Sequence, residues 1–160
     1  MLEAIVAVYS DWGIGVDGTQ PVVIRADRKH FKEVTGGATV IVGRKTLADF
    51  PGGKPLKNRV NLVLTRQETE IEGAVVVHSA AEALREAEKY ERVFVIGGES
   101  VYREFYPHLT RVYVTKIDAR PHSDAFFPNL SKSRAWRLAD PGEALEEDGT
   151  GYRFMVYERK

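Results

Sequence analysis

Residues 39–47 read TVIVGRKTL, and the glycine in the middle decides the fold. The four β-branched residues before Gly43 make a run of strand length, while the residues from Arg44, Lys45 and Thr46 onward take helical spacing. Residues 92–102, RVFVIGGESVY, repeat the arrangement around Gly97 and Gly98. Working outward, short apolar runs rich in β-branched residues at 2–9, 38–42, 60–64, 74–77, 92–96 and 112–117 read as strands. Helical patterns at 26–34, 44–50, 80–90 and 100–106 lie between several of them. Strand alternating with helix predicts an α/β fold with a largely parallel sheet covered on both faces. Apolar segments at 136–139 and 152–157 have no helix between them and predict a closing antiparallel pair.

Composition narrows the class of protein. At 160 residues, 43% hydrophobic and 29% charged, with 23 basic and 23 acidic side chains, the chain reads as one soluble globular domain over residues 1–160. That balance gives no support to nucleic-acid or membrane partners. No run approaches the roughly 18 apolar residues of a spanning helix. The amino-terminal MLEAIVAVYS carries Glu3 and lacks a basic leader, so it reads as a buried strand and not a signal peptide. Cysteine is absent, which removes disulfides and thiol chemistry and suits a reducing cytoplasm.

In a parallel sheet both glycine junctions fall at strand carboxyl ends, where helix amino termini and closely approaching backbone can hold a pyrophosphate. A glycine after a strand is more often only a turn, and neither stretch is a standard fingerprint. G-x-G-x-x-G is absent, and Arg44 between Gly43 and Lys45 breaks the P-loop pattern. The strand at 60–64 ends at Thr65 and Arg66, where enzymes using the unphosphorylated dinucleotide commonly carry an acid. With Arg44 these residues suit a 2′-phosphate; the alternative is that Arg66 and Lys45 are solvated cations, with Glu68 close by.

The stretch SDWGIGVDGTQPVVIRADRKHF, residues 10–31, runs glycines 13, 15 and 18 past Trp12 and then sets a lone acid, Asp27, at the start of a helix. The glycines suit a mobile lid or an ordinary turn. Wound at 3.6 residues per turn, the helix puts Asp27, Phe31 and Val34 on one stripe and Lys29, Lys32 and Glu33 on the other side. A first-turn acid can simply cap the helix, but a capping acid has no reason to share a stripe with Phe31. A partly buried carboxylate suits a heterocycle with adjacent N–H donors and can help route a proton. His30, His78, His108 and His122 show no metal-ligand spacing, and GESVY lacks the closing glycine of a nucleophile elbow. Arg85, Lys89 and Arg92 read as solvated charges.

Taken in order, IVAV, WGIG, RADRKHFKEVT, VIVGRKTL, LKNRVNLVLTR, VIGGESVY, VYVTKID and DAFFP resemble the dihydrofolate reductase family over nearly the whole chain. The resemblance implies a predominantly parallel, eight-stranded mixed sheet with flanking helices and a carboxyl-terminal antiparallel strand pair. It implies hydride transfer from NADPH to C6 of 7,8-dihydrofolate with protonation at N5, giving 5,6,7,8-tetrahydrofolate for one-carbon metabolism and thymidylate and purine synthesis. A cytoplasmic monomer and antifolate target is implied too. By position, Asp27 matches the family's active-site carboxylate, which binds the pterin amide and 2-amino edge and assists N5 protonation through water, and Thr115 matches its support. Ile5, Val6, Phe31, Phe50, Leu56 and Tyr102 match substrate contacts, and Arg59 matches the clasp on the glutamate α-carboxylate. Ala7, Ile14 and Gly15 match the nicotinamide end of the cofactor site. Gly43, Arg44, Lys45 and Thr46, with Ile96, Gly97, Gly98, Glu99, Ser100, Val101 and Tyr102, match the phosphate cradle; Leu64, Thr65 and Arg66 match the adenosine end. Asp124 matches a lid-supporting acid.

Four positions depart from the pattern. Val22 stands where many members have tryptophan, Arg28 where an apolar wall residue is common, Ser123 for a frequent glycine, and Ser100 where some members have a phosphate-binding arginine. A riboflavin-pathway pyrimidine reductase of the same fold is opposed by Asp27 and Arg59. A non-catalytic NADPH-sensing module is opposed by the pairing of Asp27 with Thr115.

Overall fold

The computed structural model describes residues 1–160. In chain order the strands and α-helices are β1 (Leu2–Val8), β2 (Gly13–Gly15), α1 (Arg25–Thr35), β3 (Thr39–Gly43), α2 (Arg44–Ala48), β4 (Val60–Leu64), β5 (Val75–Val77), α3 (Ala80–Ala87), β6 (Val93–Val95), α4 (Glu99–Phe105), β7 (Arg111–Ile117), β8 (Ala125–Phe126), β9 (Trp136–Asp140), β10 (Leu145–Glu147) and β11 (Thr150–Arg159). The main sheet runs β10-β11-β7-β1-β6-β3-β4-β5, and β9 also pairs with β11. Since β7 occupies one edge of β11 throughout residues 152–158, β9 and β10 share the other, end to end. Within this sheet every pairing from β7 across to β5 is parallel and the antiparallel ones all involve β11; β2 and β8 form a separate antiparallel pair.

Burial on both faces explains the continuous apolar strands. Ala4, Val6 and Val8 of β1 enter one core with Ile41, Leu62, Val95, Phe105 and Val114, while Ile5 enters a second core with Val40, Val42, Val63 and Phe94. This alternation puts neighbouring residues of one strand on opposite sides of the sheet.

Two helices stop earlier than their patterns predict. The segment from 44 ends at Ala48, and Asp49 and Phe50 donate instead to carbonyls three residues back, because Pro51 disfavours helical angles at the residue before it. The segment from 80 ends at Ala87, after which Lys89 and Tyr90 tighten in the same way. Arg92 is not merely solvated: it lies 3.6 Å from the buried Glu3 carboxylate, with Arg111 at the same distance on the other side. A buried acid needs such partners.

Candidate active site

The residue before α1 is Ile24, which offers the helix no side-chain cap. The first-turn amides are nonetheless satisfied. Arg25 and Ala26 donate to the two carboxylate oxygens of Glu147, at 2.7 and 3.1 Å, and Asp27 N–H donates to the Ile24 carbonyl at 3.1 Å. Asp27 is therefore not the cap, and its carboxylate turns the other way. There Oδ1 accepts the hydroxyl of Thr115 at 2.5 Å. Thr115 is buried in β7, opposite Ala7 of β1 on one side and Phe154 of β11 on the other. Burial pushes the Asp27 pKa above the ordinary carboxylate value; the Thr115 hydrogen bond and His30 pull it back only in part. His30, one turn along the helix, stacks on Phe154 with ring centres 4.0 Å apart, and burial lowers its pKa.

Along the same stripe, Phe31 and Val34 pack with Phe50 and Leu56 against the core that contains Ile5. Asn61, buried in β4, holds Leu56 in place: its side chain accepts Leu56 N–H at 3.0 Å and donates to the Leu56 carbonyl at 2.9 Å. Arg59 donates from Nε to the Thr35 hydroxyl at 2.9 Å and from Nη1 to the Lys57 carbonyl at 2.5 Å, with its guanidinium 5.8 Å from the centre of the Phe31 ring. No acid pairs with it, and desolvation lowers its pKa. Val6 is separate from this group. Its side chain enters the opposite core, which leaves only its main chain on the Ile5 side. Arg28 is exposed.

The two glycine junctions form one feature, because β3 and β6 are adjacent and parallel. Gly43 N–H donates to the Gly97 carbonyl at 2.9 Å. A Cβ at Gly43 would lie 3.0 Å from the Val101 side chain, and one at Gly98 would lie 3.0 Å from the Thr46 hydroxyl. Backbone thus approaches where any side chain would intrude. Arg44, Lys45 and Arg66 are exposed and unpaired with acids, Thr46 and Thr65 are half-buried, and Ser100 is exposed at the start of α4. Glu68, the acid near Arg66 in sequence, lies 3.8 Å from His78 instead. Glu99 accepts Phe126 N–H at 2.6 Å and lies 3.7 Å from Arg103, so its carboxylate is engaged away from the junction. Leu64 and Val101 pack into the core around Val95. Ile96 packs into the core that holds Ile5. The buried Tyr102 hydroxyl donates to the Ile5 carbonyl at 2.7 Å, tying α4 to β1.

The glycine-bearing loop after β1 is ordered over this edge. Trp12 is buried under Lys116 and against Tyr157. Ile14 lies in β2, which pairs with β8, and a Cβ at Gly15 would come within 2.5 Å of the Thr19 carbonyl. Asp17 N–H donates to Asp124 Oδ2 at 3.1 Å. Val22 is pinned through its main chain: Tyr9 Oη donates to its carbonyl at 2.8 Å and accepts its N–H at 3.1 Å. Ser123 is buried against Gly13, and its hydroxyl has no partner. A hollow of ≈630 Å³ between Thr69 and Val76 shares no residue with this region.

The fold sets a half-buried carboxylate and two adjoining glycine junctions along the carboxyl edge of a parallel sheet, an arrangement of the class found in α/β oxidoreductases that use a dinucleotide. The chain belongs to the dihydrofolate reductase family, whose model matches residues 1–159. Dihydrofolate reductase of Bacillus subtilis is 35% identical over all of this chain and 95% of its own length. That of Rattus norvegicus is 37% identical over 99% and 97% respectively. A solved structure of dihydrofolate reductase from Enterococcus faecalis, complexed with NADP(H) and RAB-propyl, superposes with a TM-score of 0.89 at 34% identity, covering 100% of this chain and 96% of that one.

Glu147, Thr35, Asn61 and Tyr9 are absent from the site read from sequence. Only Asn61 carried a local signal, as a polar residue inside a strand pattern that is otherwise apolar.

Proposed function

We propose that Asp27 and Thr115 carry the proton chemistry in the NADPH-dependent reduction of 7,8-dihydrofolate to 5,6,7,8-tetrahydrofolate. One observation supports this above the others: a carboxylate relieved of helix capping, held by one buried hydroxyl and pushed toward its neutral form. Its free oxygen faces N–H donors on the pterin edge, and its raised pKa keeps a proton available for N5 through water. Ile5, Phe31, Phe50 and Leu56 supply the apolar wall, Val6 a main-chain contact, and Tyr102 braces the Ile5 carbonyl. Arg59 takes the glutamate α-carboxylate on its remaining donors.

The cradle suits NADPH, because its glycines let two strand ends and two helix starts pack closely enough to present main-chain amides, and its cations lack acid partners. Gly43, Arg44, Lys45, Thr46, Gly97, Gly98, Ser100 and the Ile96, Glu99 and Val101 main chain hold phosphates, with Leu64, Thr65 and Arg66 toward the adenosine and Ala7, Ile14 and Gly15 toward the nicotinamide. NADPH supplies the hydride delivered to C6 of the pterin. The loop around Ile14 excludes water from that contact. Residues 1–160 act as one domain, a monomer in the cytoplasm with small-molecule partners only; no helix is long and apolar enough to cross a membrane.

The test mixes protein, NADPH and dihydrofolate and follows loss of reduced-nicotinamide absorbance. Asp27→Asn should lower turnover by about 10²–10⁴-fold. Because burial raises the Asp27 pKa, wild-type turnover should fall as pH rises through that pKa, and the variant should lose this step. Unchanged turnover in the variant removes the assignment.

A further inference from the structure

Glu147 stands at the end of β10, 122 residues from the first amide it accepts. A bidentate cap delivered from so far along the chain is unusual, because helix caps are ordinarily local. What it caps is the turn that contains Asp27. With Arg25 and Ala26 N–H unsatisfied, the acid within the same turn is Asp27 itself, and a first-turn carboxylate is drawn toward free amides and the positive end of the helix. We propose that Glu147 is a positioning residue for the reaction: by occupying the first two amides of α1 it keeps the Asp27 carboxylate on Thr115 and turned to the cleft, and its charge offsets the positive end of the helix beside that acid. The inference rests on the reading of Asp27 as the proton-handling group.

The groups around Asp27 leave this role to Glu147. On its own helix, Arg25 is drawn off to Asp148 at 3.0 Å, in an exposed pair that contributes little, and His30 is stacked on Phe154. From β7, Thr115 donates and does not titrate near neutrality, while its neighbour Lys116 lies over Trp12. From α4, Tyr102 is committed to the Ile5 carbonyl. From β11, Phe154 is apolar. Only the β10–β11 turn brings an anion onto the helix end.

The experiment compares Glu147→Ala, Glu147→Gln and Asp148→Asn. The Gln variant keeps an acceptor oxygen and loses the charge, and it carries the test if the Ala variant fails to fold; Asn at 148 tolerates the positive φ found there. Two readouts are taken: the pH profile of hydride transfer, and the titration of the Asp27 carboxyl carbon by NMR, which needs no turnover. Both Glu147 variants should move both curves to lower pH and lower turnover by about two- to fivefold above the profile midpoint, with recovery at low pH. Asp148→Asn should move neither. An Asp27 titration that stays in place in the Glu147 variants overturns the proposal. If Asp27→Asn leaves the pH profile intact, the reading of Asp27 itself has failed; if it abolishes the pH step while the Glu147 variants shift nothing, only the role of Glu147 has.

Discussion

Arg59→Ala isolates the end of the cleft remote from the chemistry. Of the five N–H donors of the guanidinium, Nε is committed to Thr35 and one hydrogen of Nη1 to the Lys57 carbonyl, which leaves three for a ligand. The group is already oriented, so little rotamer entropy is lost when a carboxylate arrives. It is also partly desolvated beside the Phe31 ring without an acid partner, which lowers its pKa, so a carboxylate relieves part of a cost already present in the free protein. A charge-assisted hydrogen bond of this kind contributes about 1.5–3 kcal/mol, so its loss should raise KM for dihydrofolate about 10- to 150-fold. Turnover at saturation should hold, because the contact is made equally in ground and transition states. Folding should survive: Thr35 still donates to the Phe31 carbonyl at 2.8 Å. The assay measures KM and kcat for dihydrofolate and for a reduced pterin lacking the benzoylglutamate tail. Equal losses for both substrates, or an unchanged KM for dihydrofolate, would refute the clasp.

Thr115→Val keeps the buried shape and deletes the hydroxyl. Since that hydroxyl favours the charged carboxylate, the pH profile should move to higher pH, opposite in sign to the Glu147 variants, while stability falls by about 1–3 kcal/mol in urea titrations. Gly43→Ala brings a methyl group 3.0 Å from the stiff side chain of Val101; it should cost about 1–3 kcal/mol of stability and weaken NADPH binding in a fluorescence titration, with dihydrofolate affinity retained. Asp27→Asn should stabilise the fold at neutral pH. A carboxyl whose folded pKa lies above its unfolded value binds its proton more tightly when folded, so stability declines as pH rises through that window, and the amide escapes the decline. Thermal unfolding at pH 7 should therefore occur at higher temperature in the variant, and a lower one would show that the carboxylate is not held under desolvation.

How far the sequence could be read depended on the range of each interaction. The glycine junctions were legible because strand, Gly43 and helix follow one another directly, and their mirror at Gly97 lies in an adjacent strand of the same sheet. Asp27 was legible because helical periodicity alone puts it beside Phe31. The same logic at period two separates Ile5 from Val6, so the opposite burial of the Val6 side chain follows from strand geometry. Strands β2, β8 and β10 have three, two and three residues and lack the unbroken apolar run that marks the equally short β5 and β6, so neither period nor composition reveals them. Glu99 was misleading for another reason: its position at a helix start marks its amide for the cradle, yet its carboxylate is taken by Phe126, 27 residues on. Glu147 was invisible, since nothing near residue 147 says that its acceptors serve the helix at residue 25.

The charged groups of the cleft share one physical condition. Asp27 and Arg59 lie on a single apolar surface lined by Phe31, each loses some solvation there, and neither is in an ion pair, His30 acting on Asp27 only at a distance. Pairing them with each other would stabilise the free protein and leave nothing for a ligand to relieve. Kept apart, they match a molecule with N–H donors at one end, a flat apolar middle and a carboxylate at the other. The cost of holding both unpaired falls on folding, and the capped helix end, the Thr115 hydroxyl and the Thr35 anchor are what keep each group in place against that cost.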